Sequence, residues 1–256
     1  MSVDREVSSL WHRSVRLFER NLSFVLAILA LQTASHIALG RPSFSLGQLT
    51  LLVVVFLTSA SLAFVFHNSE LRDRNFTATD MFHKSALPNR AFLTVSFVSI
   101  LAVIASILFA VFVATIVAWM MPFPTPAVLT GALSVLAFFA PILFLICRYG
   151  TAFPAAAFEG DWSPKHAHLR GKGTEKALLR ELLTGAFAAV LLIGLAQHFV
   201  ESVGAPTYVW SSDGDFSLLG TVLFFVVSAG QTLVLAVLVI TCCNAYRRGL
   251  ARLSDA

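Results

Sequence analysis

One polar segment of the sequence carries most of the side chains that could do chemistry. It runs from residue 148 to residue 172, follows a long stretch without a charged residue, and mixes cations, carboxylates and histidines. Arginine and lysine are the usual side chains that bind phosphate groups. We therefore predict a site that holds a lipid headgroup or anchors the loop, formed by Arg148, Pro154, Glu159, Lys165, Arg170 and Lys172.

The first two charges of this segment are Arg148 and Glu159. We expect Arg148 either to pair with Glu159 or to hold a lipid phosphate, and in both cases to pin the loop to the membrane surface. Pro154 lies between them and should prevent a continuous helix, because proline has no backbone N–H. The simpler alternative is an arginine that only extends its charged end into the headgroup region.

A second group of polar side chains lies inside the apolar stretches. Glutamine and histidine in such places can form hydrogen bonds between membrane helices. The alternative is a polar pocket near the outer leaflet that binds a small solute. The members of this predicted intramembrane polar cluster are Gln32, His36, Gln197, His198 and Gln231.

Motifs for metals, cofactors and covalent catalysis are missing from the sequence. His166 and His168 are alternate residues, which do not face each other on a helix. The segment Gly171–Thr174 lacks the earlier glycine and the preceding strand of a phosphate loop. The three cysteines show no metal-binding spacing, and no G-x-S-x-G motif occurs. We therefore expect no metal, no cofactor and no enzymatic activity.

The elements that must position these groups are membrane helices. Hydrophobic residues make up 57% of the chain and charged residues 12%, whereas soluble domains carry about 25% charged residues. This composition excludes an ordinary soluble enzyme and a nucleic-acid-binding protein. We predict an all-α polytopic bundle, one membrane domain over residues 1–256. Its six spans are long enough to cross a bilayer and cover about 22–39, 48–67, 91–121, 127–147, 183–200 and 216–243.

The distribution of Lys and Arg predicts the orientation of these spans. Of the 18 Lys and Arg residues, all but Arg41 fall in the two termini and in the second and fourth connections. Such residues concentrate on the cytoplasmic side of membrane proteins. We therefore expect a bacterial inner-membrane protein with both termini in the cytoplasm. Breaks at Gly40–Gly47, Pro122–Pro126 and Glu201–Asp215 should form the connections on the other side.

Short amphipathic segments precede the spans on the predicted cytoplasmic side. Residues 7–18 place apolar side chains at helical spacing, which predicts a helix lying in the headgroup plane. A shorter helix is expected after Asp80 as its N-cap. A third should begin at Ser163-Pro164 and end at Gly171–Gly173, with Thr174 capping the fifth span. This order suggests a threefold repeat of an amphipathic segment and a helical hairpin.

Small residues repeat every fourth position along the third span. Such a stripe lets helix backbones approach closely in lipid. We therefore expect this helix to be packed centrally rather than to line a wide pore. The stripe consists of Ala102, Ser106, Ala110, Ala114 and Ala118.

The exit of the fourth span also carries a family resemblance. Pro141, Arg148, Pro154 and Glu159 occur in the order and spacing of a bacterial six-helix membrane domain that is fused to some glycerophosphodiester phosphodiesterases and has stand-alone relatives of unknown function. The N-terminal segment from Trp11 to Asn21 resembles that family's opening helix. The resemblance implies a six-helix membrane fold. The soluble phosphodiesterase domain has no counterpart in this sequence, so the fused activity is not expected.

Together these features predict a non-enzymatic protein that organises lipid or a membrane protein partner through a basic cytoplasmic face. Anionic phospholipid is the expected ligand, since juxtamembrane Lys and Arg attract anionic headgroups. One alternative is a transporter of a small solute or lipid that uses the intramembrane polar cluster. Another is a lipid-modifying enzyme, whose acid–base groups could only be Glu159, Asp161, His166 and His168.

Overall fold

The computed structural model is all-α, as predicted. It describes residues 3–39, 46–120, 127–204, 206, 209–210 and 214–255. The predicted break at 40–47 up to residue 45, the proline turn at 122–126 and the turn residue Asp213 lie outside the described residues. The helices are α1 Val3–Arg20, α2 Leu22–Leu39, α3 Leu46–Arg72, a 3₁₀ helix Ala78–Phe82, α4 Arg90–Met120, α5 Ala127–Tyr149, α6 Ala152–Phe158, α7 Pro164–Gly171, α8 Glu175–Glu181, a π-helical stretch Leu182–Phe187, α9 Ala188–Ser202 and α10 Leu218–Ser254.

Within the described residues, five helices are long and apolar enough to cross a membrane. A sixth span is counted if α5 and α6, which meet at a 48° bend, are taken together as one broken span. The fifth span is composite, because it joins α8, the π-helical stretch and α9 into one apolar helix of 28 residues, Glu175–Ser202. These helices place the chain in lipid as a polytopic helical bundle.

Helix ends follow the predicted capping chemistry in one segment and depart from it in another. Helix α7 begins as expected, with Ser163 as N-cap and Pro164 as its first residue. The expected cap at Asp80 is wrong. Thr77 is the N-cap of the 3₁₀ helix, and Asp80 is its third residue, accepting from the Thr77 N–H at 2.8 Å. This is the reciprocal arrangement of a capping box, and it shifts the cap three residues towards the N-terminus.

The contacts divide the chain into two compact units. The first unit consists of Met1–Asn89 and Arg180–Asn244, and the second of Arg90–Leu179 and Ala245–Ala256. Helices α1, α2 and α3 and the π-helical stretch belong to the first unit, whereas α4, α5, α6 and α7 belong to the second. Helix α10 contributes its residues up to Asn244 to the first unit and its last turns to the second.

In the first unit, α1 is packed against other helices, and its position in the headgroup plane stays a prediction. Leu10, Ser14 and Leu17 are buried, and α1 contacts α2, α3 and the π-helical stretch. The buried face is rotated away from the predicted one, since Val15 is 41% exposed. The reason is the close approach at Gly185, where an added Cβ would lie 2.9 Å from Leu10 Cδ2. The absence of a side chain at Gly185 thus allows the Leu10 face of α1 to pack inward.

In the second unit, the predicted central position of the third span is wrong. Helix α4 packs along α5, yet only 6% of its most apolar 18-residue window is buried. Ser106 of the small-residue stripe is buried, while its neighbours Leu101 and Phe109 are about half exposed. The side chain of Ala118 lies outside the described residues. The stripe therefore serves one helix pair, and the remaining faces of α4 are available to lipid.

Candidate functional site

The polar segment of the second unit begins with a bend after α5. Helix α5 runs through Pro141 and ends at Tyr149, and α6 leaves it at 48°. The break therefore falls before Pro154, which lies in the first turn of α6, where its missing N–H costs nothing. Thr151 stabilises the bend by donating its hydroxyl to the Ala167 carbonyl of α7 at 2.9 Å. The bend and this hydrogen bond bring the ends of α5 and α7 together.

Arg170 is the centre of this segment, and its contacts are with other residues of the loop and with α10. Its side chain is only 7% exposed, and its Nη1 lies 3.0 Å from Asp161 Oδ2 and 3.7 Å from Glu159 Oε2. Tyr246 of α10 donates its hydroxyl to Glu159 Oε1 in a short hydrogen bond. The Arg170 guanidinium also lies over the Tyr246 ring. Arg170 thus holds the loop onto the last turns of α10.

Asp161 is the second anchor of the loop. Its Oδ1 accepts the Ser163 N–H at 2.9 Å, and its Oδ2 is 3.1 Å from His166 Nδ1. Partial burial acts to raise the pKa of Asp161, but hydrogen bonds from Ser163, Arg170 and His166 and the charge of Arg170 lower this pKa below its usual value. The carboxylate is therefore ionised at neutral pH and committed to contacts within the loop.

The end of α10 covers the C-terminal end of α7. Arg252 Nη2 donates to the Leu169 carbonyl at 2.7 Å. The Arg170 carbonyl lies 2.3 Å from where a Cβ on Gly249 would stand, so only glycine fits at that position. A cation at a helix C-terminus is favourable because the terminal carbonyls carry partial negative charge. These contacts fix the turn in which Lys172 lies.

Arg148 does not pair with Glu159, so that expectation is corrected. Its Nη2 lies 3.2 Å from Nε2 of His168, and no carboxylate of the described residues lies within ion-pair distance of it. Glu159 instead accepts from Tyr246 and lies within ion-pair distance of Arg170. Arg148 is half-buried at the end of α5, and the second ring nitrogen of His168 is buried without an acceptor.

The remaining predicted headgroup ligands point outward. Lys165 and Lys172 are exposed. Large apolar and aromatic side chains of the same segment are exposed as well, which is the mixture expected at a membrane interface. Those that are exposed are Tyr149 at 38%, Phe158 at 43%, Trp162 at 53% and Leu169 at 43%.

In the first unit, the structure does not join the predicted intramembrane polar cluster. Gln32 donates to Thr58 Oγ1 at 2.9 Å and to Ser59 Oγ at 3.3 Å, which links α2 to α3. His36 packs its ring against Phe224 of α10. Gln197 is half-buried, whereas His198 and Gln231 are exposed. Across the described part of the chain, no hydrogen bond connects two of these five residues.

Sequence reasoning missed a polar network in the first unit. Arg13 of α1 forms an ion pair with Glu70 of α3 and donates to Asn244 Oδ1 of α10 at 3.1 Å. Asn244 in turn donates to Glu181 Oε2 of α8 at 3.3 Å. The sequence signal that could have indicated this network is the position of Glu70 and Asn244, which are among the first polar residues after apolar runs.

The fold and these contacts define a class of protein. Five or six long apolar helices with polar networks at their ends make this a multi-pass membrane protein. Among the described residues, no group of three or more His, Cys, Asp or Glu side chains is arranged to hold a metal ion.

Comparison with known proteins adds no name to that class. No family model, no curated protein and no solved structure matches the chain. The resemblance to the six-helix membrane domain therefore stays a prediction that depends on Pro141, Arg148, Pro154 and Glu159.

Proposed function

We propose that this is a non-enzymatic membrane protein that organises anionic phospholipid, or a membrane partner bound through it, at its basic face. The observation that carries the proposal is that, in the segment 148–172, the carboxylates have partners within the protein and three of the cations have no carboxylate partner among the described residues. Glu159 and Asp161 are both engaged by Arg170 and its neighbours. The cations Arg148, Lys165 and Lys172 have no carboxylate partner among the described residues, and they therefore give this face a net positive charge.

Electrostatics sets the expected strength of the interaction. Each Lys or Arg near an anionic membrane surface contributes about 1 kcal/mol. The exposed aromatic side chains Tyr149 and Trp162 would lie at the same depth, where amphipathic rings are favoured. The proposed membrane is the bacterial inner membrane, with this face and both termini in the cytoplasm. That orientation is supported by the position of all but one of the 18 Lys and Arg residues.

The test is lipid enrichment in nanodiscs of phosphatidylcholine with a minor fraction of phosphatidylglycerol. Native mass spectrometry would compare the lipid around the wild-type chain with that around Lys165→Gln/Lys172→Gln. The matched control is Lys165→Arg/Lys172→Arg, which keeps both charges. We expect both the wild type and the control to enrich phosphatidylglycerol. The enrichment by the neutral variant should be lower by roughly tenfold or more, because two contributions of about 1 kcal/mol are lost.

Two results would overturn this proposal. One is a wild-type chain that shows no preference for phosphatidylglycerol over phosphatidylcholine. The other is a neutral variant that enriches the anionic lipid as well as the charge-preserving variant does. A protein that copurifies with the chain in one-to-one ratio, and leaves with the same two charges, would identify the membrane partner instead.

One observation favours a second candidate function, a lipid-modifying enzyme. Glu159, Asp161 and His166 converge around Arg170, and Asp161 orients the His166 ring through Nδ1. Such a pair leaves Nε2 as a general base at an exposed position. Prolonged incubation of the chain with phosphatidylglycerol should then release a headgroup or a lysolipid, and His166→Gln should abolish the release. A mass balance with no product would reject this candidate.

A further inference from the structure

We propose that Arg148 and His168 form a binding site for one phosphate group, supplied by the headgroup of an anionic phospholipid. This inference rests on the proposed function and goes further, because it replaces a diffuse basic face with one stoichiometric site. It starts from the contact between two bases, Arg148 Nη2 and His168 Nε2, which are 3.2 Å apart.

The first step concerns the protons of this contact. Arginine is always charged in proteins and only donates hydrogen bonds. His168 Nε2 can accept from Arg148 only in the tautomer that carries its proton on Nδ1. That Nδ1 is buried and finds no acceptor within the described residues. A buried donor without an acceptor is unfavourable, so the tautomer with its proton on Nε2 is favoured, and in it both Nε2 and Arg148 Nη2 are donors.

The second step concerns the acceptor that these two donors lack. A phosphate oxygen accepts from the Arg148 guanidinium and from the Nε2–H of His168 at once, and arginine pairs with phosphate in a specific two-bond geometry. The carboxylates that could have filled this role, Glu159 and Asp161, are held by Arg170 and Tyr246. The acceptor must then come from outside the loop.

The third step concerns the source of the phosphate. Arg148 follows a charge-free stretch, residues 127–147, and lies in the last turn of α5, which together with α6 is apolar enough to form one broken span. Tyr149 is 38% exposed beside it, and Leu169 next to His168 is 43% exposed. Apolar surface on both sides of the two bases suits a phosphate that carries a glycerol and acyl chains. A free phosphate ion would gain nothing from these neighbours.

The two bases are also well positioned by their surroundings. The Thr151 hydroxyl holds the Ala167 carbonyl, and the Lys172 N–H donates to the His168 carbonyl at 3.0 Å. Gly171 allows α7 to approach the end of α5 so closely that a Cβ there would lie 2.8 Å from the Arg148 carbonyl. The geometry is therefore fixed before any ligand arrives, which lowers the ordering cost of binding.

The experiment counts lipids that survive delipidation. The wild-type chain, Arg148→Gln, His168→Gln and Arg148→Lys would be washed in detergent, given phosphatidylglycerol, and weighed by native mass spectrometry. Lys176→Gln is the matched control, because it removes one exposed charge from the same predicted face. A thermal unfolding curve of each variant shows which of them are folded.

We expect the wild type and Lys176→Gln to retain one phosphatidylglycerol per chain. Arg148→Gln and His168→Gln should each lower its affinity at least tenfold, and Arg148→Lys should lower it less. Competition identifies the source: inorganic phosphate at equal concentration should leave the lipid bound. Displacement of the lipid by inorganic phosphate would mean a free-phosphate site and would overturn the lipid assignment.

The failure of this site can be told apart from the failure of the proposed function. If phosphatidylglycerol is enriched around the chain but Arg148→Gln and His168→Gln retain a stoichiometric lipid, the site is wrong and the basic face stands. If no variant and no wild-type chain enriches the lipid at all, both fail. Should Arg148→Gln not fold, the His168→Gln variant and the phosphate competition on the wild type still decide the question.

Discussion

Two arginines, one in each unit, have partners of different charge. Arg13 of the first unit is bound to Glu70 and Asn244, both contributed by other helices of that unit. Arg148 of the second unit is bound to a histidine, with no carboxylate beside it among the described residues. The first cation is neutralised from within and joins helices together. The second has no internal counter-charge and is the one available to an external anion.

This difference shows why a count of basic residues overstates a binding surface. Counting treats Arg13, Arg148 and Arg170 alike, because each lies in a terminus or connection on the predicted cytoplasmic side. The structure separates them by their partners. Arg170 is buried against Asp161 and Tyr246, so it belongs with Arg13 as a structural cation. Arg148, Lys165 and Lys172 are the cations of the segment 148–172 that the proposed function assigns to headgroups.

The largest effect is expected from a change that pushes α10 away from Arg170. Gly249→Ala places a Cβ 2.3 Å from the Arg170 carbonyl, which is backbone and cannot rotate away. Overpacking of this kind costs about 1–3 kcal/mol, and we expect a value near the upper end. Thermal or denaturant unfolding in detergent measures it. Gly194→Ala is the control, since nothing lies within 4 Å of its Cβ position. Equal effects of the two substitutions would contradict the close packing of α10 against the Arg170 backbone.

A smaller loss of stability is expected from the Arg13 network. Arg13→Gln removes the ion pair with Glu70 and weakens the hydrogen bond to Asn244. Hydrogen bonds to charged groups contribute about 1.5–3 kcal/mol, and partial exposure of Arg13 should bring the loss to about 1–2 kcal/mol. Arg16 on the same helix is exposed, and among the described residues its side chain forms a hydrogen bond only with His12, so Arg16→Gln is the control. It should therefore change the free energy of unfolding by less than about 0.5 kcal/mol.

These two cases also show what could be read from the sequence. The bounds of α2, the first residue of α7 and its Ser163 cap follow from periodicity and capping chemistry, which are local. Partners such as Glu70 for Arg13, or Tyr246 for Glu159, depend on how distant helices pack, and one sequence does not contain that information. The candidate segment 148–172 stays a prediction, and the partners of Arg148 and Arg170 within it depend on such contacts.

Asp161 gives a pH-dependent test of the second unit. Because its pKa is lowered in the folded chain, its contribution to stability is present at neutral pH and is lost as the pH falls below about 4. Asp161→Asn should lower stability by about 1 kcal/mol at pH 7 and should flatten the acid limb of the unfolding curve. Unfolding measured from pH 7 to pH 3 checks this. An acid limb as steep as that of the wild type would contradict the assigned contacts.

The smallest effect is expected inside the membrane part of the first unit. Gln32→Leu removes the hydrogen bonds from α2 to Thr58 and Ser59. Such bonds contribute about 0.6 kcal/mol in lipid on average, so the loss should be of that order. Gln231→Leu is the control at an exposed position and should have no measurable cost. Equal solute uptake by vesicles containing either variant or the wild type would leave Gln32 as a structural residue, whereas loss of uptake with Gln32→Leu would favour the transporter.

The most direct test of the account compares substitutions of the same two arginines, Arg148 and Arg13. Stability and bound phosphatidylglycerol would be measured together for Arg148→Gln and Arg13→Gln. The account predicts that Arg148→Gln keeps its stability and loses the lipid, while Arg13→Gln loses stability and keeps the lipid. The reverse pattern, or a lipid retained by both variants at wild-type occupancy, would contradict it.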